Sequence, residues 1–170
     1  MAHSTLPRWK QTFTACTAAQ TTRLAETLRD GFSAGDTLLL DGPIGAGKSH
    51  FARSLIRAKL ADVDLVEDIP SPTFTLVQTY QAGEMEIWHS DLYRLSMLDE
   101  VYELGLFDAF ETALCLVEWP DRLGEARPEN ALTVRFSIAQ NPDFRDITLS
   151  ASDPKWDWLR DRLNKVNWRD

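Results

Sequence analysis

The chain is 170 residues long, 44% hydrophobic and 26% charged, with a formal net charge of −8. That length suits a single domain, residues 1–170, with a full core and no need of disulfides. The acidic balance argues against a protein that binds nucleic acid by itself, and two cysteines, Cys16 and Cys115, allow neither a Cys/His metal cluster nor a disulfide framework.

Residues 1–11 read as a loose lead-in with no apolar core of signal-peptide length, and no later run approaches a membrane span. A reducing, cytoplasmic setting is expected, with Cys115 a buried small hydrophobe inside Ala113-Leu114-Cys115-Leu116-Val117. Thr17 suits a helix N-cap, and Leu24, Ala25, Leu28 and Phe32 make one amphipathic face that ends near Gly31 to Gly35.

Leu38-Leu39-Leu40 then suits a buried parallel strand and runs into Gly42-Pro43-Ile44-Gly45-Ala46-Gly47-Lys48-Ser49, the spacing G-x-x-x-x-G-K-[ST]. Glycines at 42, 45 and 47 permit the positive φ that curls backbone N–H groups around a phosphate. Lys48 can reach the β- and γ-phosphates, and the Ser49 hydroxyl can ligate Mg²⁺. Phe51, Ala52, Leu55 and Ile56 follow at helical spacing, to about Leu60, so a phosphate would sit at a helix N-terminus.

Residues 61–74 are acidic, carry Pro70 and Pro72, and read as a loop. Thr75 to Tyr80 and Glu84 to His89 are short strand candidates joined by a hairpin turn at Gln81-Ala82-Gly83. Leu98, Val101, Tyr102 and Leu104 mark a helix, interrupted at Gly105 before a second short one around Phe107 to Phe110. Leu114 to Val117 is the second uninterrupted apolar run, and it stops at Glu118-Trp119-Pro120. After a loop over 121–130, Leu132, Val134, Phe136 and Ile138 alternate as a half-exposed strand. Ile147 and Leu149 begin its partner after a turn at Asn141-Pro142-Asp143. Residues 153–170 form a Trp-rich helix capped by Asp153, with Trp156, Leu159, Leu163 and Val166 on one face. Trp156, Trp158 and Trp168 cannot all face a core, so some could meet a partner, while at least Trp156 is expected to pack against the sheet.

The expected architecture is an α/β sandwich resembling phosphate-loop NTPases, with parallel central strands and an antiparallel C-terminal pair. Such a site needs an acidic group at a neighbouring strand end. Glu118 ends the more hydrophobic strand and is assigned to the metal with Ser49; Asp91 is assigned to positioning water or the γ-phosphate. Ser71-Pro72-Thr73-Phe74 is a hydroxyl-bearing, proline-stiffened loop that could sense the γ-phosphate. His89 reads either as a general base or, more readily, as structural, and Trp119 as core or as a cover over the site.

These segments together resemble the bacterial TsaE (formerly YjeE) family over roughly residues 12–150. The resemblance rests on the glycine loop, Ser71-Pro-Thr-Phe74, His89-Ser-Asp-Leu-Tyr-Arg-Leu95, Glu103-Leu-Gly-Leu106 and Val117-Glu-Trp119. It implies a Mg²⁺-dependent ATPase required for threonylcarbamoyladenosine in tRNA, working with a TsaD–TsaB heterodimer and meeting tRNA only through that complex. Carried over, residues 44–49 hold the phosphates, Ser49 and Glu118 meet Mg²⁺, and Asp91 contributes to hydrolysis. Thr73 lies in the switch-like loop, Trp119 beside the site, and Arg145 near the nucleotide. Ala18 departs from the acidic residue common near the adenine, and Pro43-Ile44 and Ser49 replace Asp-Leu and Thr.

Three other functions compete. A GTPase would want N-K-x-D, which Asn164-Lys165-Val166-Asn167 fails at its last residue. A small-molecule kinase would want an acceptor pocket and an arginine lid, for which Arg122 and Arg127 are available. A nucleotide-gated interaction module with incidental hydrolysis is the third, and the six tryptophans favour it slightly.

Overall fold

The computed structural model describes residues 6–167. All seven strands form one sheet in the order β1-β7-β6-β2-β5-β4-β3. They are β1 (Trp9–Cys16), β2 (Thr37–Asp41), β3 (Val77–Ala82), β4 (Met85–Asp91), β5 (Leu114–Glu118), β6 (Leu132–Ile138) and β7 (Arg145–Ala151). β6, β2, β5 and β4 run parallel, and β3 at one edge and β7 next to β6 run antiparallel to them. The expected parallel pair, β2 and β5, are direct neighbours, and the C-terminal pair β6 and β7 is antiparallel.

Side chains on successive strand residues point to opposite faces, which explains why the central strands read as unbroken apolar runs. Leu38, Leu40, Leu114 and Leu116 pack on one face with helices α1 (Ala18–Leu28), α2 (Lys48–Ala61) and α5 (Asp157–Lys165). Leu39, Cys115 and Val117 pack on the other with α3 (Leu98–Glu103) and α4 (Leu106–Thr112). Burial pushes the Cys115 thiol up to about 12, so it stays protonated and unreactive at neutral pH.

Local chemistry sets the helix ends. Thr17 caps α1 in a reciprocal capping box with Gln20. Gly105, at φ 80°, separates α3 from α4. Asp153 accepts from the Lys155 N–H, with Pro154 at the first position of the 3-10 turn before α5. Trp156 is fully buried there, and its Nε1 donates to the Asn130 carbonyl at 2.7 Å.

Four expectations need correction. The lead-in is not loose to residue 11, because Trp9 begins β1, which pairs with β7. A bulge between Phe13 and Cys16, with Ala15 at φ 54°, breaks the alternation that would have marked this strand. β3 starts at Val77 rather than Thr75, since Leu76 takes φ 69° and its N–H closes a turn onto the Pro72 carbonyl. The loop after Trp119 contains 3-10 turns over Pro120–Ala126. Val166 lies past the end of α5 and is exposed, unlike Trp156, Leu159 and Leu163. Trp168, expected at the C-terminal surface, lies outside the described residues.

Lys59 of α2 is buried and donates to the Phe32 carbonyl at 3.0 Å. Burial pushes its ammonium below the ordinary 10.5, so between the lowered value and 10.5 the unfolded chain binds more protons than the folded one. Stability contributed at this residue therefore rises with pH through that window and is lost as pH falls back through it. Urea denaturation of wild type and Lys59→Met across alkaline pH should show this rise in the wild-type curve and its loss from the variant.

Candidate functional site

The glycine loop leaves the C-terminal end of β2 and enters α2, so its backbone and the first N–H groups of α2 face one cavity. Gly42 lies so close to β6 that an added Cβ would stand 2.5 Å from the Phe136 carbonyl oxygen. Gly47 occupies the helix N-cap at φ 107°, a conformation that a side chain would strain. The cavity is about 390 Å³, within the size range of small-molecule sites. Ile44, Gly45, Gly47, Lys48 and Ser49 line one wall. Thr73, Asp91, Tyr93, Glu118 and Trp119 line the other.

Strand register brings the two acids together. Asp91 and Glu118 are the last residues of β4 and β5 and stand opposite each other in the parallel ladder. Glu118 is 2% exposed. Ser49 Oγ donates to its Oε1 at 2.8 Å and Oε2 at 2.9 Å, and His89 Nε2 lies 2.7 Å from Oε2. Asp91 accepts from the Tyr93 N–H at 3.0 Å and from Thr73 Oγ1 at 3.4 Å, and Thr73 is in turn linked to Ser71 at 2.8 Å.

Lys48 is only 5% exposed and is held inside the loop, donating to the Gly42 carbonyl and, at 3.0 Å, to the Pro43 carbonyl. Its ammonium lies 4.0 Å from the centre of the Trp119 ring, which Tyr93 packs against. Burial pushes Lys48 below its ordinary value, while Glu118, Asp91, Asp41 and Asp121 act in the opposite sense. Trp119 is thus a cover over the lysine, and it reaches that place through a left-handed backbone at φ 59°.

Two of the residues proposed from sequence stand outside the cavity wall. Ala46 is buried and its N–H bonds to the Pro43 carbonyl, so it shapes the loop from behind. Arg145, the first residue of β7, donates to the Gly45 carbonyl from Nε at 3.3 Å and Nη2 at 3.2 Å, and so acts on the loop rather than lining the cavity. Neither arginine of the expected lid lines the cavity, and Arg122 donates to the Tyr93 carbonyl at 3.1 Å.

His50 and Tyr93 also line the cavity; Tyr93 belongs to the motif quoted for the family resemblance but was given no role, and His50 did not stand out in the sequence. His50 Nε2 lies 2.9 Å from Thr22 Oγ1 and 3.0 Å from the Ala18 carbonyl, tying α2 to α1. Its position directly after Ser49 was the available signal. For His89 the signal was strand period: two residues before Asp91, it shares that residue's face.

The donor set fits Mg²⁺. Glu118, Asp91 and the Ser49 hydroxyl offer hard oxygens, and no cluster of three or more His, Cys, Asp or Glu able to hold a metal occurs among the described residues. A cation held by one or two carboxylates plus phosphates and water is the usual Mg²⁺ arrangement.

A mixed sheet with parallel central strands, a glycine-rich strand-to-helix turn and an acid at the neighbouring strand end has the phosphate-loop NTPase-like fold. Residues 15–147 match the model of a family described as threonylcarbamoyl adenosine biosynthesis protein TsaE. The chain belongs to this family. Proteins named tRNA threonylcarbamoyladenosine biosynthesis protein TsaE are similar to it. The one from Bacillus subtilis is 33% identical over 132 residues, 77% of this chain and 79% of that protein. The one from Mycobacterium bovis is 32% identical over 166 residues, 92% and 87% respectively. The Rickettsia conorii relative is 41% identical over 102 residues, 60% of this chain, and the chain spans 57% of that relative's length, as it spans 58% of the Rickettsia felis relative. The crystal structure of Bacillus subtilis YdiB superposes with a TM-score of 0.73 at 26% identity, covering 95% of this chain and 98% of that one.

Arg145 holds the loop through a charged donor on a carbonyl, an interaction worth about 1.5 kcal/mol or more. Arg145 is half-buried, and Arg145→Ala should lower stability by about 1.5 kcal/mol, the size of that interaction. Amide exchange at Gly45 and Gly47 should become about tenfold faster, read by hydrogen–deuterium exchange.

Proposed function

We propose that this protein binds ATP with Mg²⁺ and hydrolyses it slowly, serving threonylcarbamoyladenosine formation in tRNA. It would act in the cytoplasm on a TsaD–TsaB complex and leave RNA chemistry to that complex. The observation that carries this reading is the Ser49–Glu118 bond, which joins the first turn of α2 to the end of β5 beside Asp91. In that arrangement the loop N–H groups and Lys48 would hold the phosphates, with Lys48 exchanging its two loop carbonyls for phosphate oxygens. Ser49 and Glu118 would hold Mg²⁺, which would supply positive charge against the charge of the phosphates. Asp91 would align the attacking water, and Thr73, bonded to Asp91, would carry the presence of the γ-phosphate to the loop at 71–76.

Partner dependence is supported by exposed apolar side chains: Phe74, next in the chain to the cavity residue Thr73, is 86% exposed, Met97 62% and Tyr102 58%. The net charge of −8 favours leaving tRNA contact to partners, because phosphate binding needs a basic footprint. A small-molecule kinase is the weaker reading, since the expected lid arginines do not line the cavity.

Phosphate release measured with and without the TsaD–TsaB heterodimer tests the proposal. The wild-type rate should be low alone and rise with the heterodimer. Lys48→Ala and Glu118→Ala should each reduce it by about 100-fold. Stoichiometric phosphoryl transfer to a metabolite, indifferent to the heterodimer, would overturn the proposal in favour of a kinase. Asp91→Ala should bind ATP within about threefold of wild type but hydrolyse it at least about 100-fold more slowly. Hydrolysis at the wild-type rate would remove Asp91 from the mechanism.

A further inference from the structure

His89 lies in the interior of β4, fully buried and absent from the cavity wall, so it touches neither substrate nor bulk water. Among the described residues its buried Nδ1 has no hydrogen-bond partner, and its one polar contact is Nε2 with Glu118 Oε2 at 2.7 Å. An ionised carboxylate can only accept, so the imidazole must donate from Nε2. Register explains the contact. His89 stands beside Leu116 in the parallel ladder and Asp91 beside Glu118, so the imidazole and the Glu118 carboxylate are diagonal neighbours on the α2 face.

We infer that His89 is a positioning residue that sets the cation site through two successive hydrogen bonds. The Nε2–H fixes the orientation of the Glu118 carboxylate. That carboxylate accepts the Ser49 hydroxyl proton, at 2.8 and 2.9 Å, which turns the free lone pairs of Ser49 Oγ away from Glu118. A cation beside Ser49 then meets a hydroxyl already rotated for it. Without the imidazole the carboxylate loses its only donor on the β4 side, and the hydroxyl loses its fixed acceptor geometry. Hydrogen bonds behind a metal ligand of this kind govern affinity by 10- to 100-fold on the order of magnitude. This inference rests on the Mg²⁺–ATP reading above.

The test is ATP binding by calorimetry with and without Mg²⁺, on wild type, His89→Leu, His89→Gln and His89→Asn. Leucine removes the donor. Glutamine places an amide N–H near the Nε2 position, and asparagine places one near Nδ1. His89→Leu should lose about 10-fold or more of the Mg²⁺-dependent affinity while metal-free ATP binding stays within about twofold. Glutamine should restore most of the loss and asparagine little of it. Equal Mg²⁺ responses in the glutamine and asparagine variants overturn the inference, including the case in which the leucine variant does not fold. A wild-type protein that binds ATP without any Mg²⁺ dependence overturns the nucleotide–metal reading itself. Wild-type dependence that persists unchanged in His89→Leu overturns only the role of His89.

Discussion

A carboxylate kept away from water must find hydrogen-bond donors inside the protein, and Glu118 finds them on two different elements. Ser49 reaches it from the first turn of α2, and His89 from β4. One buried group thereby ties the first turn of α2, the end of β5 and the interior of β4 together. The cavity exists because these three parts are held together, and Asp91 enters it as the register partner of Glu118. The same low-dielectric surroundings that make an unpaired carboxylate costly make each of these hydrogen bonds strong.

The sheet makes this convergence possible. Four parallel strands direct their C-terminal ends to the same side, where ligands in open α/β sheets bind. Helices cover both faces, so the two central strands, β2 and β5, carry almost no polar side chain until their last residues. Asp41, Asp91 and Glu118 all stand at such ends. Apolar interiors and acidic ends are two consequences of one arrangement, because only at the strand end can a charge meet water, a cation or a phosphate.

Much of the architecture was legible because local patterns and tertiary demands agreed. The runs Leu38–Leu40 and Leu114–Val117 became neighbouring parallel strands, and the alternation from Leu132 to Ile138 became β6. β1 was not legible, because the bulge after Phe13 shifts Cys16 inward and leaves too few alternating positions. β3 was displaced by a left-handed Leu76, a conformation that a leucine does not advertise. His89 was ambiguous for a different reason. A histidine two residues before an acid on a strand can be core or site, and only the partner across the ladder distinguishes them.

From sequence alone the loop Gly42 to Ser49, the acids at 91 and 118 and the family resemblance were already determined. Glycine spacing, lysine chemistry and strand-end acids are local, and each residue type carries its own constraint on φ, charge or reach. Tertiary structure alone decided which of these groups meet. It put Lys48 under Trp119, Ser49 and His89 on one carboxylate, and Arg145 on the loop from a strand 100 positions away. Such contacts depend on register between β4 and β5 and on the path of β7 past the loop. No window of sequence contains both partners, so the order of the strands in the sheet had to settle them.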